Sequence, residues 1–147
     1  MILGWVKLPR SIEDTGILQN SHCLQVFIML LIKASHTGHS VFYRGKQCNL
    51  SAGETIISIR DLATELNLNR SKVSRCLKTL EQLRLVSLNP QPNGTIVHIT
   101  NYGENVPAGW VRLPRNLIET GILNDPPCLQ IYIWLLLKAT HKPRIVS

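Results

Sequence analysis

An α+β, mainly helical fold is predicted for this 147-residue chain from three observations. Ser58 to Arg84 holds two amphipathic segments separated by only three residues, Asn67-Leu68-Asn69. Two strand-like runs follow, Leu85 to Asn89 and Thr95 to Thr100. A stretch of 33 residues also occurs twice, 105 positions apart. Gly4 to His36 reads GWVKLPRSIEDTGILQNSHCLQVFIMLLIKASH and Gly109 to His141 reads GWVRLPRNLIETGILNDPPCLQIYIWLLLKATH, with 19 of 33 positions identical and no gap. Two short helices joined by a tight turn and followed by a hairpin describe a winged helix-turn-helix. The repeat adds an N-terminal arm and long apolar helix before it and a truncated copy of both after it. Residues 1–105 are therefore expected to form the winged unit. Residues 106–147, a partial repeat of 4–42 ending at the counterpart of Phe42, are expected to serve packing or assembly.

Taken in order, residues 4–10 combine Trp5, alternating aliphatics and Pro9, which predicts an extended arm tucking Trp5 against the body. Ser11 to Ile17 reads as a short helical turn closed by Gly16. The long first helix is expected from Ser21 or His22 to Ser35, with Gln25 and Lys33 as its polar positions. A surface helix carries an apolar stripe about 100° wide. This one is apolar nearly all round and must be covered on more than one side.

Between Thr37 and Gly53, a strand-like Val41-Phe42-Tyr43, a turn at Arg44-Gly45-Lys46 and a second turn at Ser51-Ala52-Gly53 predict a hairpin. Glu54 to Ile57 is a short strand. Ser58 with Asp61 three residues on resembles a capping box, and Ile59, Leu62, Ala63 and Leu66 recur at helical spacing. Asn67 stands where a left-handed residue must turn the chain, which Asn tolerates. Asn69 then caps a second helix from Arg70 to about Arg84, with Val73, Cys76, Leu77, Leu80 and Leu83 inward. Pro90-Gln91-Pro92-Asn93-Gly94 is the wing tip.

Sixteen Lys and Arg against nine Asp and Glu give a formal charge of +7, which points to a polyanion or an acidic partner. Residues 1–105 carry eleven basic and seven acidic side chains, so position matters more than the total. The second helix of the unit concentrates Arg70, Lys72, Arg75, Lys78 and Arg84 against the single acid Glu81. Asn69, Arg70, Ser71, Lys72, Ser74, Arg75 and Lys78 are the candidate DNA-binding residues. Arg bridges the two acceptors of guanine in the major groove, while Lys and Ser hold phosphates. The free amides of the helix N-terminus add positive potential toward the same backbone. Arg60, on the preceding helix, is a candidate phosphate clamp. The wing tip has no Lys or Arg, so no more than main-chain or Asn93 contact is expected there.

Four cysteines, Cys23, Cys48, Cys76 and Cys128, show no C-x-x-C pair. They predict reduced, mostly buried thiols in a cytosolic protein, with neither disulfide nor metal. The five histidines share no ligand spacing, and His36 and His141 are expected to cap helix C-termini. Without a phosphate-binding Gly-rich loop, a nucleophile elbow or a paired carboxylate site, no enzyme and no cofactor are expected. The apolar run from Cys23 to Ala34 is a dozen residues, short of the roughly 20 needed to span a membrane.

In the second copy, Leu129, Ile131, Tyr132, Trp134, Leu135 and Leu136 need cover, because so large an apolar patch aggregates if exposed. Helix 128–139 is thus expected to pack on a first helix. That helix belongs either to its own chain in a pseudo-twofold pair or to another chain in a dimer or higher oligomer.

On GWVKLPR, LLIKASH, LSAGETIISIRDLATELNLNRSKVSRCLKTLEQLRLV and TIVHITNYGEN, the chain resembles the winged-helix N-terminal domains of phage and prophage replisome-organiser and DnaD-like replication proteins. The resemblance covers about residues 4–105. It implies double-stranded DNA binding in replication initiation, self-association and a helicase-loading partner. Such proteins usually carry a further C-terminal domain; here the repeat is expected in that place, and its RIVS ending resembles the start of a second hairpin. Two alternatives stand beside this reading: a prophage or mobile-element transcriptional regulator, and a protein-interaction winged helix that does not bind DNA.

Overall fold

A computed structural model describes residues 4–104 and 109–139. The boundary at 105/106, His141 and the Arg144–Ser147 ending lie outside the described residues. Strand β1 (Trp5–Pro9) leads through two 3-10 turns into helix α1 (Ser21–Lys33). Hairpin β2 (His39–Tyr43) and β3 (Lys46–Leu50) precedes β4 (Glu54–Ile57), α2 (Ile59–Leu66) and α3 (Arg70–Gln82). Strands β5 (Val86–Gln91) and β6 (Gly94–Ile99) form the wing. The second copy supplies β7 (Trp110–Pro114), two further 3-10 turns and α4 (Pro126–Ala139).

Helix α1 organises the molecule. Every residue from Cys23 to Ile32 is buried, because α3 covers one side of the helix and α4 another. Burial of each large aliphatic stabilises by about 1.5–3 kcal/mol, which explains a helix with no solvent stripe. Its polar Gln25 is fully buried as well. Its amide Nε2 donates to the Leu66 carbonyl at the end of α2 (3.0 Å) and to the Leu123 carbonyl in the second copy (2.7 Å). The helix ends at Lys33, two residues before the expected Ser35. Ala34 turns extended (ψ 140), and Ser35 instead exchanges backbone bonds with Glu54 and Gly53, both 2.8 Å. His36 lies beyond this end, exposed on a bend, rather than capping the helix.

The winged unit follows from local bonding. The Ser58 hydroxyl accepts from the Asp61 amide (3.0 Å), starting α2. Asn67 adopts φ 57, ψ 44 and closes the helix. The Asn69 side chain accepts from the Lys72 amide (2.7 Å). Helix α3 stops at Gln82 because Arg84 takes a left-handed φ of 62, so Leu83 packs from just past the helix end. The sheet order is β4-β6-β5, all antiparallel. The wing is longer than its sequence indicates, since Gln91 pairs with Gly94 across a two-residue Pro92-Asn93 turn. Pro90 is accommodated because β5 is an edge strand, where a missing N–H breaks no ladder bond. Gly94 is demanded by space, since a Cβ there would meet the Ile57 carbonyl oxygen at 2.6 Å.

The second copy repeats the turns and caps of the first. Thr15 and Thr120 each donate to the carbonyl three residues back, at 2.7 and 2.8 Å. Gly16 and Gly121 both adopt a left-handed φ near 80, at 82 and 81. Asn20 caps α1 and Asp125 caps α4. Helix α4 begins at Pro126, two residues earlier than expected, because proline fits the first helical turn, where no intrahelical N–H bond is needed. Strands β1 and β7 pair antiparallel, and both copies share one continuous core with the winged unit.

Among the six residues expected to need cover, Leu129 is buried and Tyr132 and Leu136 pack against the core. Ile131, Trp134 and Leu135 remain 60%, 50% and 50% exposed. Ile133 and Leu137 take the fully inward positions instead, since α1 meets one stripe of α4, not its whole circumference.

The four thiols are free. Cys23 and Cys76 are buried, whereas Cys128, the repeat counterpart of Cys23, is exposed because nothing equivalent to α3 lies over α4 among the described residues. Burial, reinforced by adjacent Cys23, pushes the Cys76 thiol up to about 12. Since the thiolate is the reactive species, iodoacetamide at mildly alkaline pH should label only Cys48 and Cys128 in the native protein. Mass spectrometry should count two adducts before denaturation and four after it. Native labelling of Cys76 would contradict the α1–α3 packing.

Candidate nucleic-acid interface

Five of the candidate residues share one face of α3. At 100° per residue, Arg70, Ser71, Ser74, Arg75 and Lys78 fall within an arc of about 140°, opposite the buried Val73, Cys76, Leu77 and Leu80. Arg70, Ser71, Arg75 and Lys78 are exposed and Ser74 is half-buried. Lys72 lies at the border of this face, where it lines a depression with Arg75, Asn20 and His22 beside the start of α1. The Asn69 side-chain oxygen is occupied by capping, which leaves its amide group free to donate outward.

Arg60 and Arg70 line a common depression with Thr64, Asn67 and Asn69 in the crook of the helix-turn-helix. The chain thus brings a cation from α2 to the N-terminus of α3, where unpaired amides already favour an anion. Among the described residues no ion pair involves Arg60, Arg70, Lys72, Arg75 or Lys78. Arg60 still acts electrostatically on the neighbouring Asp61 carboxylate, while Arg70, Lys72, Arg75 and Lys78 face no paired acid among the described residues.

The sequence does not reveal the role of the β2–β3 hairpin. Its Arg44-Gly45 turn has positive φ at both residues, 51 and 82, as a tight two-residue hairpin turn requires. Its tip lies beside the wing, with Tyr43, Lys46 and Gln47 lining one depression together with Gln91, Pro92 and Asn93. The Arg44 guanidinium bonds the Ser58 hydroxyl (3.2 Å) and the Asp61 carboxylate (3.1 Å) at the start of α2. The Ser58 bond first, and Arg44 after it, hold the Asp61 carboxyl below its ordinary range. Exposed Lys46 is thus a basic group next to a wing that has none. No local signal marked it, because the proximity of hairpin and wing is a tertiary contact.

Fold and face together define a winged helix-turn-helix domain. Residues 50–90, from the end of β3 into β5, match the family model of the IclR helix-turn-helix domain, to which this part of the chain is similar. No curated protein and no solved structure matches the chain. Among the described residues, no group of three His, Cys, Asp or Glu side chains is placed to hold a metal ion. Among the same described residues, no helix is long and apolar enough to cross a membrane.

Proposed function

We propose that the protein is a sequence-specific double-stranded DNA-binding protein acting as a transcriptional regulator. The observation that carries this reading is the basic, hydroxyl-bearing face of α3 on the second helix of a domain similar to the IclR helix-turn-helix. Arg70 and Arg75 read base edges in the major groove, Ser71, Ser74 and Lys78 hold phosphates, and Arg60 clamps the backbone at the crossing helix. Lys72 adds positive potential from the flank, and the Asn69 amide donates at the helix start. Lys46 supplies the backbone contact that the wing lacks. The protein acts without a cofactor and is not an enzyme in this reading.

Replication initiation, with a helicase-loading partner, is the second reading. Its support is the resemblance of residues 4–105 to replisome-organiser domains, of which the GWVKLPR arm, the LLIKASH helix and the closing TIVHITNYGEN strand lie outside the IclR-like segment.

Selection from a random duplex library tests the reading. Enrichment of a short discrete motif is expected, and recovery of no motif would contradict sequence-specific binding. Lys46→Ala should weaken all duplexes alike and reduce the log–log salt slope by about 0.9, the share of one phosphate contact. An unchanged slope would remove the hairpin from the interface.

A further inference from the structure

The contacts between the two copies are reciprocal. The Arg10 amide donates to the Gly109 carbonyl and the Arg115 amide to that of Gly4, both at 3.0 Å. The Arg10 guanidinium donates to the Leu137 carbonyl (2.7 Å) and that of Arg115 to the Ile32 carbonyl (3.0 Å). Gln25 donates to the Leu123 carbonyl (2.7 Å) and Gln130 to that of Leu18 (2.6 Å). In each pair the second bond is the first with 105 added to one partner and subtracted from the other. Trp5 stacks on Trp110 at 5.3 Å, and the β1–β7 register is centred on Lys7 opposite Arg112, its own counterpart. This is the contact pattern of an isologous twofold interface, in which one patch meets another copy of itself.

Each donor and acceptor of that interface is also present in the first copy. Arg10, Gln25, Gly4, Leu18 and Ile32 would supply both sides of a pair made from two first copies. Space for such a pair exists. The exposed Ile131, Trp134 and Leu135 of α4 correspond to Val26, Met29 and Leu30 of α1, which the first copy buries. The outer side of α4, where a second chain's winged unit would lie, is therefore open.

We propose that the second copy occupies, within one chain, a homodimerisation surface formed by β1, α1 and Arg10, and that this surface accepts residues 4–33 of a second chain once the second copy is displaced. A partner in the same chain acts at an effective concentration on the order of mM, so the intact protein stays monomeric through this surface. Displacement would relate two α3 helices by a twofold axis, the arrangement that reads an inverted repeat. That consequence rests on the DNA-binding reading, whereas the dimer does not.

The test is made without DNA, so its failure is separate from failure of DNA binding. Leu113→Asp with Arg115→Ala in the full chain removes a fully buried β7 side chain and a copy-bridging cation, while Lys7→Cys sets a reporter thiol at the centre of the register. The expected result is a doubling of mass by light scattering and a disulfide between the two introduced thiols, identified by mass spectrometry. Lys7→Cys alone should remain monomeric and uncrosslinked. A folded monomer, or a dimer without that disulfide, overturns the proposal. If the combined variant does not fold, a protease site replacing residues 105–108 in the Lys7→Cys protein serves instead. After cleavage and gel filtration the same crosslinked dimer is expected, and a nicked complex that never exchanges into it overturns the proposal.

Discussion

Arg70→Ala combined with Arg75→Ala is expected to lower affinity for the preferred duplex about 100-fold or more, with the circular dichroism spectrum and thermal midpoint unchanged. Each bidentate arginine contact to a base contributes about 1–3 kcal/mol of discrimination, and roughly 1.4 kcal/mol is tenfold in affinity. Both side chains are exposed on α3 and form no ion pair among the described residues, so their loss leaves the core intact. Discrimination between the preferred duplex and random sequence should fall along with affinity, as it does when base readers are removed. Lys78→Ala serves as the contrast, since a phosphate contact weakens every sequence alike. Unchanged affinity in the double variant, measured by fluorescence anisotropy, would remove α3 as the reader.

The largest effect on stability is expected at Gln25. Gln25→Leu keeps the volume of a fully buried side chain but strands the carbonyls of Leu66 and Leu123, which its amide bonds at 3.0 and 2.7 Å. An unsatisfied buried carbonyl costs about 1–3 kcal/mol, so a total of about 2–6 kcal/mol is expected for the two. For a protein of this size that corresponds to a fall in Tm on the order of 10 °C. Gln130→Leu, the same change in the second copy, removes a single bond from a partly buried side chain and should cost about half as much. Calorimetry of both variants checks the order. Equal losses would contradict the double bridge at Gln25, which ties α1 to α2 and to the second copy at once.

The parts of the fold legible in the sequence are those fixed by bonds spanning a few residues. Ser58, Asn67 and Asn69 each act within four positions, so they mark the start, reversal and restart of the helix pair without tertiary information. The basic face of α3 is legible for the same reason, because helical periodicity alone sorts Arg70 and Arg75 from Val73 and Leu77. Gln25 is different: its partners are 41 and 98 residues away, and in sequence it is merely a polar interruption of an apolar helix. Arg44-Gly45-Lys46 reads as a turn, while its position beside the wing depends on how a separate hairpin packs. The ends of α1 and α3 were displaced by backbone choices at Ala34 and Arg84, where competing strand bonds and a left-handed residue outweighed continued helical periodicity. The apolar circumference of α4 announced a need for cover, but which stripe is buried depends on how α4 packs against α1, a contact between segments about 100 residues apart.

The most direct test of the central claim, that the α3 face binds duplex DNA, is the dependence of binding on salt. Replacement of about four condensed counterions by Arg and Lys predicts a log–log slope near −3.6. A slope indistinguishable from zero, or no duplex binding at low salt, would contradict the account.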